Sequence, residues 1–468
     1  MTGQDQEPDA VDEAVDDAVN DAVNEPEVDG VDEALALAVD GRRTRQQPPP
    51  GTIPAPVPAS GTARHRATAW PDARALAASL GRAAPPRTRH VPLDQALGQV
   101  LAEPLTALCD LPSFDTSAMD GWAVAGPGPW RIRGDGSILA GHGDAPPLPD
   151  GTAVRIATGA RIPREVTAVI RSEHARTDAD KRLLYAEREV APGQDIRPRG
   201  QECRSGDQLL PPASLVTPAV FGLAAAAGYD ELRTVARPRV EILVLGDELL
   251  NAGLPHDGLI RDALGPMVGP WLSTLGVEVL ATRRLGDDAE ALHRAVTTSD
   301  ADLLLTTGGT AAGPVDHVHP VLRKTGAELL VDGVAVRPGH PMLLARLDGG
   351  HDRYLVGLPG NPLAAVSGLL TLAEPLLRAL AGHPARAPYR MPVREEVHGH
   401  PYDTRLVPVA HRTDGLLPLH YNGPAMLRGI AAADALAVVP PGGARAGDEL
   451  EVLDLPWTPP GAGEGCFT

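Results

Sequence analysis

Residues 239–386 alternate between two textures. Short, nearly unbroken apolar runs (RVEILVL, ADLLLTT, YLVGL) are followed by stretches in which apolar residues return every three or four positions (DDAEALHRAVTTS, HVHPVLRKTG, SGLLTLAEPLLRALAG). The runs have the length of strands buried on both faces, and the periodic stretches that of covering helices. This alternation predicts a parallel sheet covered on both sides, a three-layer α/β/α domain. Residues 113–190 have a different grain. GWAVAG, WRIRG, AVRIATG, TAVIRSE and RLLYAE are strand-like runs cut by Gly and Pro, which predicts a small β-rich unit. Beyond residue 390, alternation in MPVREEV, TRLVPVAH, DALAVVP and DELEVLDL predicts a terminal β domain. PDARALAASLG reads as a helix with Pro71 in its first turn and Gly81 at its end. VPLDQALGQVLAEPL reads as a second short helix and AVFGLAAAAG as a buried one.

Composition adds an unusual N-terminus. The first 40 residues hold 14 Asp and Glu and no Lys or Arg, with Val recurring between acids in DAVDEAVDDAVNDAVN. Such a repeat is either a weak amphipathic helix or a tail kept solvated by its own charge; the tail is the expected state. RRTRQQPPPGTIPAPVPASGTARHR then reads as an extended linker. The whole chain carries 42 basic and 61 acidic residues, a formal −19, but without the tail the balance is only −5. Nothing in it suggests a nucleic-acid binder. No apolar run is clean enough to suggest a membrane span, and LVTPAVFGLAAAAG is short and interrupted by Pro218. Cys109, Cys203 and Cys466 are too far apart in sequence for a disulfide framework or zinc spacing, which fits a cytoplasmic protein.

In doubly wound sheets, ligands sit beyond the carboxyl ends of the strands. Three turns are expected there: LGDELL, TTGGTAAG and GLPGNP. Gly308, Gly309 and Gly313 let the backbone approach an anion, although one such loop alone is better explained by a tight turn; three at one edge favour the anion site. Asp247, Glu248, Asp287, Asp288 and Asp316 fall in loops at the same edge. Acids beside a phosphate suggest a bridging divalent cation, whereas Asp287 and Asp288 open a helix and can equally cap it. In the β-rich unit, FDTSAMDGWAV gathers Asp115, Ser117, Asp120 and Gly121 in one turn. There is no P-loop and no GxGxxG unit.

FDTSAMDGWAV, IATGARIP, AVIRSEH, DIRPRGQECRSGD, LGDELL, TTGGTAAGPVDHV, RPGHP and GLPGNP follow one another in a single order. In this the chain resembles the molybdopterin molybdenumtransferases, the MoeA proteins and the E domain of gephyrin. The resemblance implies a fold of α/β plus β, multidomain, with an α/β/α molybdopterin-binding domain (68–85 and 238–386). It further implies a β-rich domain (111–190), a linking domain (86–110 and 191–237), and a C-terminal β domain (387–460) after a tail (1–67). It implies insertion of molybdate into adenylylated molybdopterin with release of AMP, assisted by Mg²⁺, in a homodimer whose active site lies between two subunits. A molybdopterin adenylyltransferase or molybdoenzymes are the implied partners. Carried over by motif, Asp120, Thr158, Glu202, Glu248, Asp287, Asp316, Arg337 and His340 are the candidate catalytic residues. Glu248, Asp287 and Asp316 are the candidate metal ligands. Gly308, Gly309, Gly313, Pro359, Gly360, Asn361 and Pro362 are the candidate substrate-binding loops.

The chain departs from the family pattern at several points. Leu245 stands for a hydroxyl residue, Asp262, Ala263 and Leu264 for Asp-Ser/Thr-Asn, and Arg337 and His340 for two lysines. Gly333 falls near the position of a further lysine, and Ala364 and Ala425 replace serines. Pro314 removes one N–H from the glycine loop. These losses motivate an alternative, a diverged paralogue that binds molybdopterin or a nucleotide without insertion. An unrelated nucleotide enzyme on the same sheet would not need the SAMDG and TGA motifs.

Overall fold

The structure, a computed structural model, describes residues 67–141, 146–311, 316–348 and 352–458. The expected tail up to residue 66, and Gly313, Pro314 and Cys466, lie outside the described residues.

The central domain is built on six strands: β1 (Arg239–Leu245), β2 (Glu278–Leu285), β3 (Leu303–Thr307), β4 (Glu328–Asp332), β5 (Leu343–Leu347) and β6 (Arg353–Leu358). Their order across the sheet is β2-β1-β3-β6-β5-β4. β2, β1, β3 and β6 are parallel neighbours, and β5 is antiparallel to both β6 and β4. A purely parallel sheet was expected; the short link between β5 and β6 leaves no room for a crossover helix, so that pair must run antiparallel.

Successive residues face opposite layers. Val240, Ile242, Val244, Leu303 and Leu305 pack under α1 (Trp70–Ala83), α2 (Leu264–Thr274) and α5 (Pro362–Leu380). Leu243, Leu245 and Leu304 pack under α3 (Ala289–Thr298) and α4 (Val318–Lys324). The fold is α/β/α in this region, as the textures imply. Gly81 lies inside α1 rather than ending it: a Cβ there would stand 2.6 Å from the Cβ of Ala379, so glycine lets α1 and α5 touch. The indole N–H of Trp70 donates to Thr371 Oγ1 across the same contact at 3.0 Å. α5 widens into a π turn over Leu369–Ala373, just before Pro375, which has no N–H to give the helix. By length and composition α5 would pass for a membrane span, but 72% of it is buried in this core.

Two expectations for the linking segments differ. Residues 88–92 form a strand paired with Glu231–Val235, followed by a single 3₁₀ turn at Leu93–Gln95; the expected helix is broken at Gly98, whose φ is +76°. The helix Pro218–Ala226 forms, but only Ala224 in it is buried. The linking core combines Val91, Leu101 and Leu105 with Val216, Ala224 and Leu232.

The β-rich strands 168–171, 121–125, 152–156, 130–138, 183–186 and 175–178 form one sheet in that order. The C-terminal sheet is less self-contained than its sequence suggests. Val334–Arg337, expected within the central domain, pairs with strand Thr404–Arg412 on one side and Thr68–Ala69 on the other. The RPGHP turn therefore lies where the central and C-terminal sheets meet.

Candidate functional site

A cavity of about 380 Å³ opens beyond the carboxyl ends of β1, β2, β3 and β6. Each strand sends one turn into its wall. Gly246 and Glu248 follow β1, Asp287 and Asp288 follow β2, Gly308 and Gly309 follow β3, and Pro359, Gly360 and Asn361 follow β6. Asp316, His317 and Pro341 complete it. Two other cavities are larger, about 560 Å³ beside Trp130 and Tyr185 and about 730 Å³ beside Glu202. Neither has turns converging from several parallel strand ends, so position rather than size identifies the candidate site.

The turns divide into groups already committed and groups still available. Gly308 N–H donates to the carbonyl of Leu358 at 2.8 Å, continuing the sheet register, so it cannot serve as the anion donor the sequence suggested. Among the described residues, the N–H groups of Gly309, Thr310, Gly360 and Asn361 have no such acceptor. Gly309 has φ of +68°, and a Cβ there would lie 3.1 Å from Leu245 Cδ1 and 3.2 Å from Val318 Cγ2. Glycine is required both for the turn and for the close approach. Leu245, which replaces a hydroxyl, is used for packing in that contact.

The acids divide in the same way. Asp288 is the N-cap of α3, accepting from Glu290 N at 2.8 Å and Ala291 N at 3.1 Å. Those backbone donors hold its carboxyl below the usual range, Ala291 first and then Glu290. Asp287, beside it, is free to face the cavity. Asp262 is buried; it accepts from Gly265 N at 2.9 Å and pairs with Arg284, which makes it a structural acid. Glu248 lies against the Cα of Gly246, and neither Glu248 nor Asp287 makes a side-chain hydrogen bond or ion pair with a described residue. Glu248, Asp287 and Asp316 share the cavity, but among the described residues no three His, Cys, Asp or Glu side chains form a group that could hold a metal. They are therefore not a preformed metal cage.

Several expected residues stand elsewhere. Arg337 Nε donates to Asp403 Oδ2 at 3.0 Å, turning this cation toward the C-terminal domain. His340 Nδ1–H donates to the carbonyl of Val334 at 2.8 Å, so the ring is fixed to its own turn. Neither lines the cavity; Pro341 does. Pro362 is the first residue of α5, and the next two N–H groups, of Leu363 and Ala364, donate to the carbonyl of Pro424 at 2.9 and 3.3 Å. The NGPAM turn thus covers the start of α5. Asp120 and Thr158 come together in the β-rich sheet, where Thr158 N donates to Asp120 Oδ1 at 2.8 Å, and both are exposed. Gly121 is fixed by packing: a Cβ there would fall 2.0 Å from the carbonyl oxygen of Ile170. Glu202 borders the 730 Å³ cavity with Thr116 and Arg197. Sequence reasoning missed Thr310 and His317, which flank the motif residues in the wall; their place directly beside Gly309 and Asp316 was the available signal.

Comparisons with known proteins match this arrangement region by region. Residues 70–228 match the MoeA N-terminal region (domain I and II), 241–379 a probable molybdopterin binding domain, and 390–455 the MoeA C-terminal region (domain IV). The molybdopterin molybdenumtransferase of Staphylococcus aureus (strain COL) is 28% identical over 382 residues, 78% of this chain and 90% of that protein. Molybdopterin molybdenumtransferase 2 of Mycobacterium tuberculosis (strain H37Rv) is 34% identical over 406 residues, 81% of this chain and 98% of that protein. A molybdopterin biosynthesis MoeA protein from Pyrococcus horikoshii shares the fold, with a TM-score of 0.68 at 24% identity over 83% of this chain and 99% of that one. With three matched regions in one order, and identity extending along nearly the whole of the mycobacterial relative, the chain belongs to the molybdopterin molybdenumtransferase family.

Proposed function

We propose that the chain inserts molybdate into adenylylated molybdopterin and releases AMP. The carrying observation is the cavity where turns from four parallel strands supply backbone donors and, in Glu248 and Asp287, carboxylates that no described residue claims. Gly309, Thr310, Gly360 and Asn361 offer N–H groups to phosphoryl oxygens, which are strong acceptors for such donors. Glu248, Asp287 and Asp316 repel a bare anion, so the substrate must bring a counter-charge. With no resident cage among the described residues, Mg²⁺ is read as arriving on the substrate's phosphates, keeping several waters as it commonly does. No step is routed through it.

The cavity wall draws on no described residue of 111–190, while Asp120 and Thr158 stand exposed on that unit. This supports a site completed by a second copy. Two free cysteines among the described residues, Cys109 and Cys203, suit a reducing cytoplasm. The test is direct. Purified protein given adenylylated molybdopterin, Mg²⁺ and molybdate should release AMP and yield cofactor that activates an apo-molybdoenzyme; no molybdate-dependent AMP release would sink the reading.

A second reading has its own observation. Arg337, His340 and the Gly308 N–H are committed within the protein rather than turned to the cavity. A chain that binds the adenylylated pterin without turnover would fit that loss, and tight binding with no AMP release would decide for it.

A further inference from the structure

We infer that His317 contacts a phosphoryl oxygen of the ligand in the strand-end cavity and gives the site its preference for a phosphorylated over an unphosphorylated nucleoside. The inference rests on the function proposed above and names a recognition residue within it.

The cavity's charged residues are unbalanced. Glu248, Asp287, Asp288 and Asp316 all border it, and among the described residues no Lys or Arg does. Among the described residues, His317 is the one side chain in that wall able to carry positive charge, and with Asn361 and Thr310 it is one of three that can donate a hydrogen bond at neutral pH. Arg337, which could have supplied the cation, is turned to Asp403.

The imidazole is also available. It is half-buried, and it makes no hydrogen bond or ion pair with a described residue. It stands close enough to Asp288 to help hold that carboxyl low, yet Asp288 already accepts from Glu290 and Ala291. Capping α3 occupies the acid, and the ring beside it keeps its nitrogens for something else. His317 is the residue immediately before α4, and no side-chain cap is made from it, so the helix does not explain the ring either. A phosphoryl oxygen needs only an N–H, which either tautomer supplies. Beside four carboxylates, that side-chain donor adds to the backbone N–H groups of the wall in discriminating between AMP and adenosine.

The experiment compares AMP and adenosine as probes by calorimetry, on wild type, His317→Ala and His317→Gln. His317→Ala should bind AMP about tenfold more weakly, the size of one charge-assisted hydrogen bond. Adenosine binding should be unchanged, and His317→Gln, which keeps a donor, should recover most of the loss. In the wild type, AMP but not adenosine should shift the His317 imidazole resonance, a readout that needs no variant to fold. Equal AMP affinity in His317→Ala and wild type, parallel losses for AMP and adenosine, or an unmoved resonance each overturn the inference. If the wild type releases AMP in the insertion assay and one of those results appears, this inference alone fails. If the wild type neither binds nor releases AMP, the proposed function fails and this inference falls with it.

Discussion

The two ends of the central sheet handle acids in opposite ways. At the amino ends of the strands, Asp302 is 6% exposed; it accepts from Arg239 N at 2.7 Å and pairs with Arg87. At the carboxyl ends, Glu248 and Asp287 border a cavity with no side-chain partner among the described residues. The first kind of acid holds two segments together. The second kind holds no two described segments together. A carboxylate is therefore read by what it already bonds, and those at the strand-end cavity keep their oxygens for a ligand.

That contrast can be broken at either end. Asp302→Ala should destabilise the fold by about 3 kcal/mol, because Arg239 N–H loses its buried acceptor. Urea unfolding measures it, and a shift below about 1 kcal/mol would make the two ends alike. Glu248→Gln and Asp287→Asn should do the reverse. Each should lower AMP release about a hundredfold, equal to roughly 2.7 kcal/mol of barrier, with an unchanged or higher melting temperature. Destabilisation by either variant would show that the cavity acids are structural after all.

Gly309→Ala probes the turn at the carboxyl end of β3, and its positive φ and close contacts should cost about 1–2 kcal/mol, visible in the same unfolding curves. The smallest effect concerns a scaffold imidazole with no side-chain partner among the described residues. Burial, aided by Arg378 and Arg386, pushes the His383 pKa down to about 4. The unfolded chain takes up that proton near pH 6.5 and the folded chain does not, so stability is full above about pH 6.5 and falls as pH drops toward 4. Allowing for the ring's partial exposure, the loss should be about 1 kcal/mol, and His383→Leu should flatten that part of the pH–stability curve.

Much of this was legible in the sequence. The runs RVEILVL and ADLLLTT are strands β1 and β3 because side chains buried on both faces leave no polar alternation to misread. Glu248, Asp287 and Asp316 were placed at one edge, and they line one cavity. What stayed hidden depends on partners distant in sequence. Gly81 resembles a helix stop until Ala379 is seen against it. The Gly308 N–H is spent on Leu358, 50 residues further on. Arg337 looks like an anion ligand until Asp403 takes it. In each case the residue type was informative about what the group can do, and only the fold decided which neighbour claimed it.

The strand Val334–Arg337 limits how far the protein can be treated as a set of modules. It is threaded through the central domain's chain yet hydrogen-bonded into the C-terminal sheet, and the Pro424 carbonyl reaches back to the start of α5. Cutting the chain between them would leave an open strand edge on one fragment and orphaned helix donors on the other, a pair of sticky ends rather than two domains. Fusions, truncations and partner swaps in this family member should therefore treat everything from Thr68 to Asp454 as one indivisible cassette.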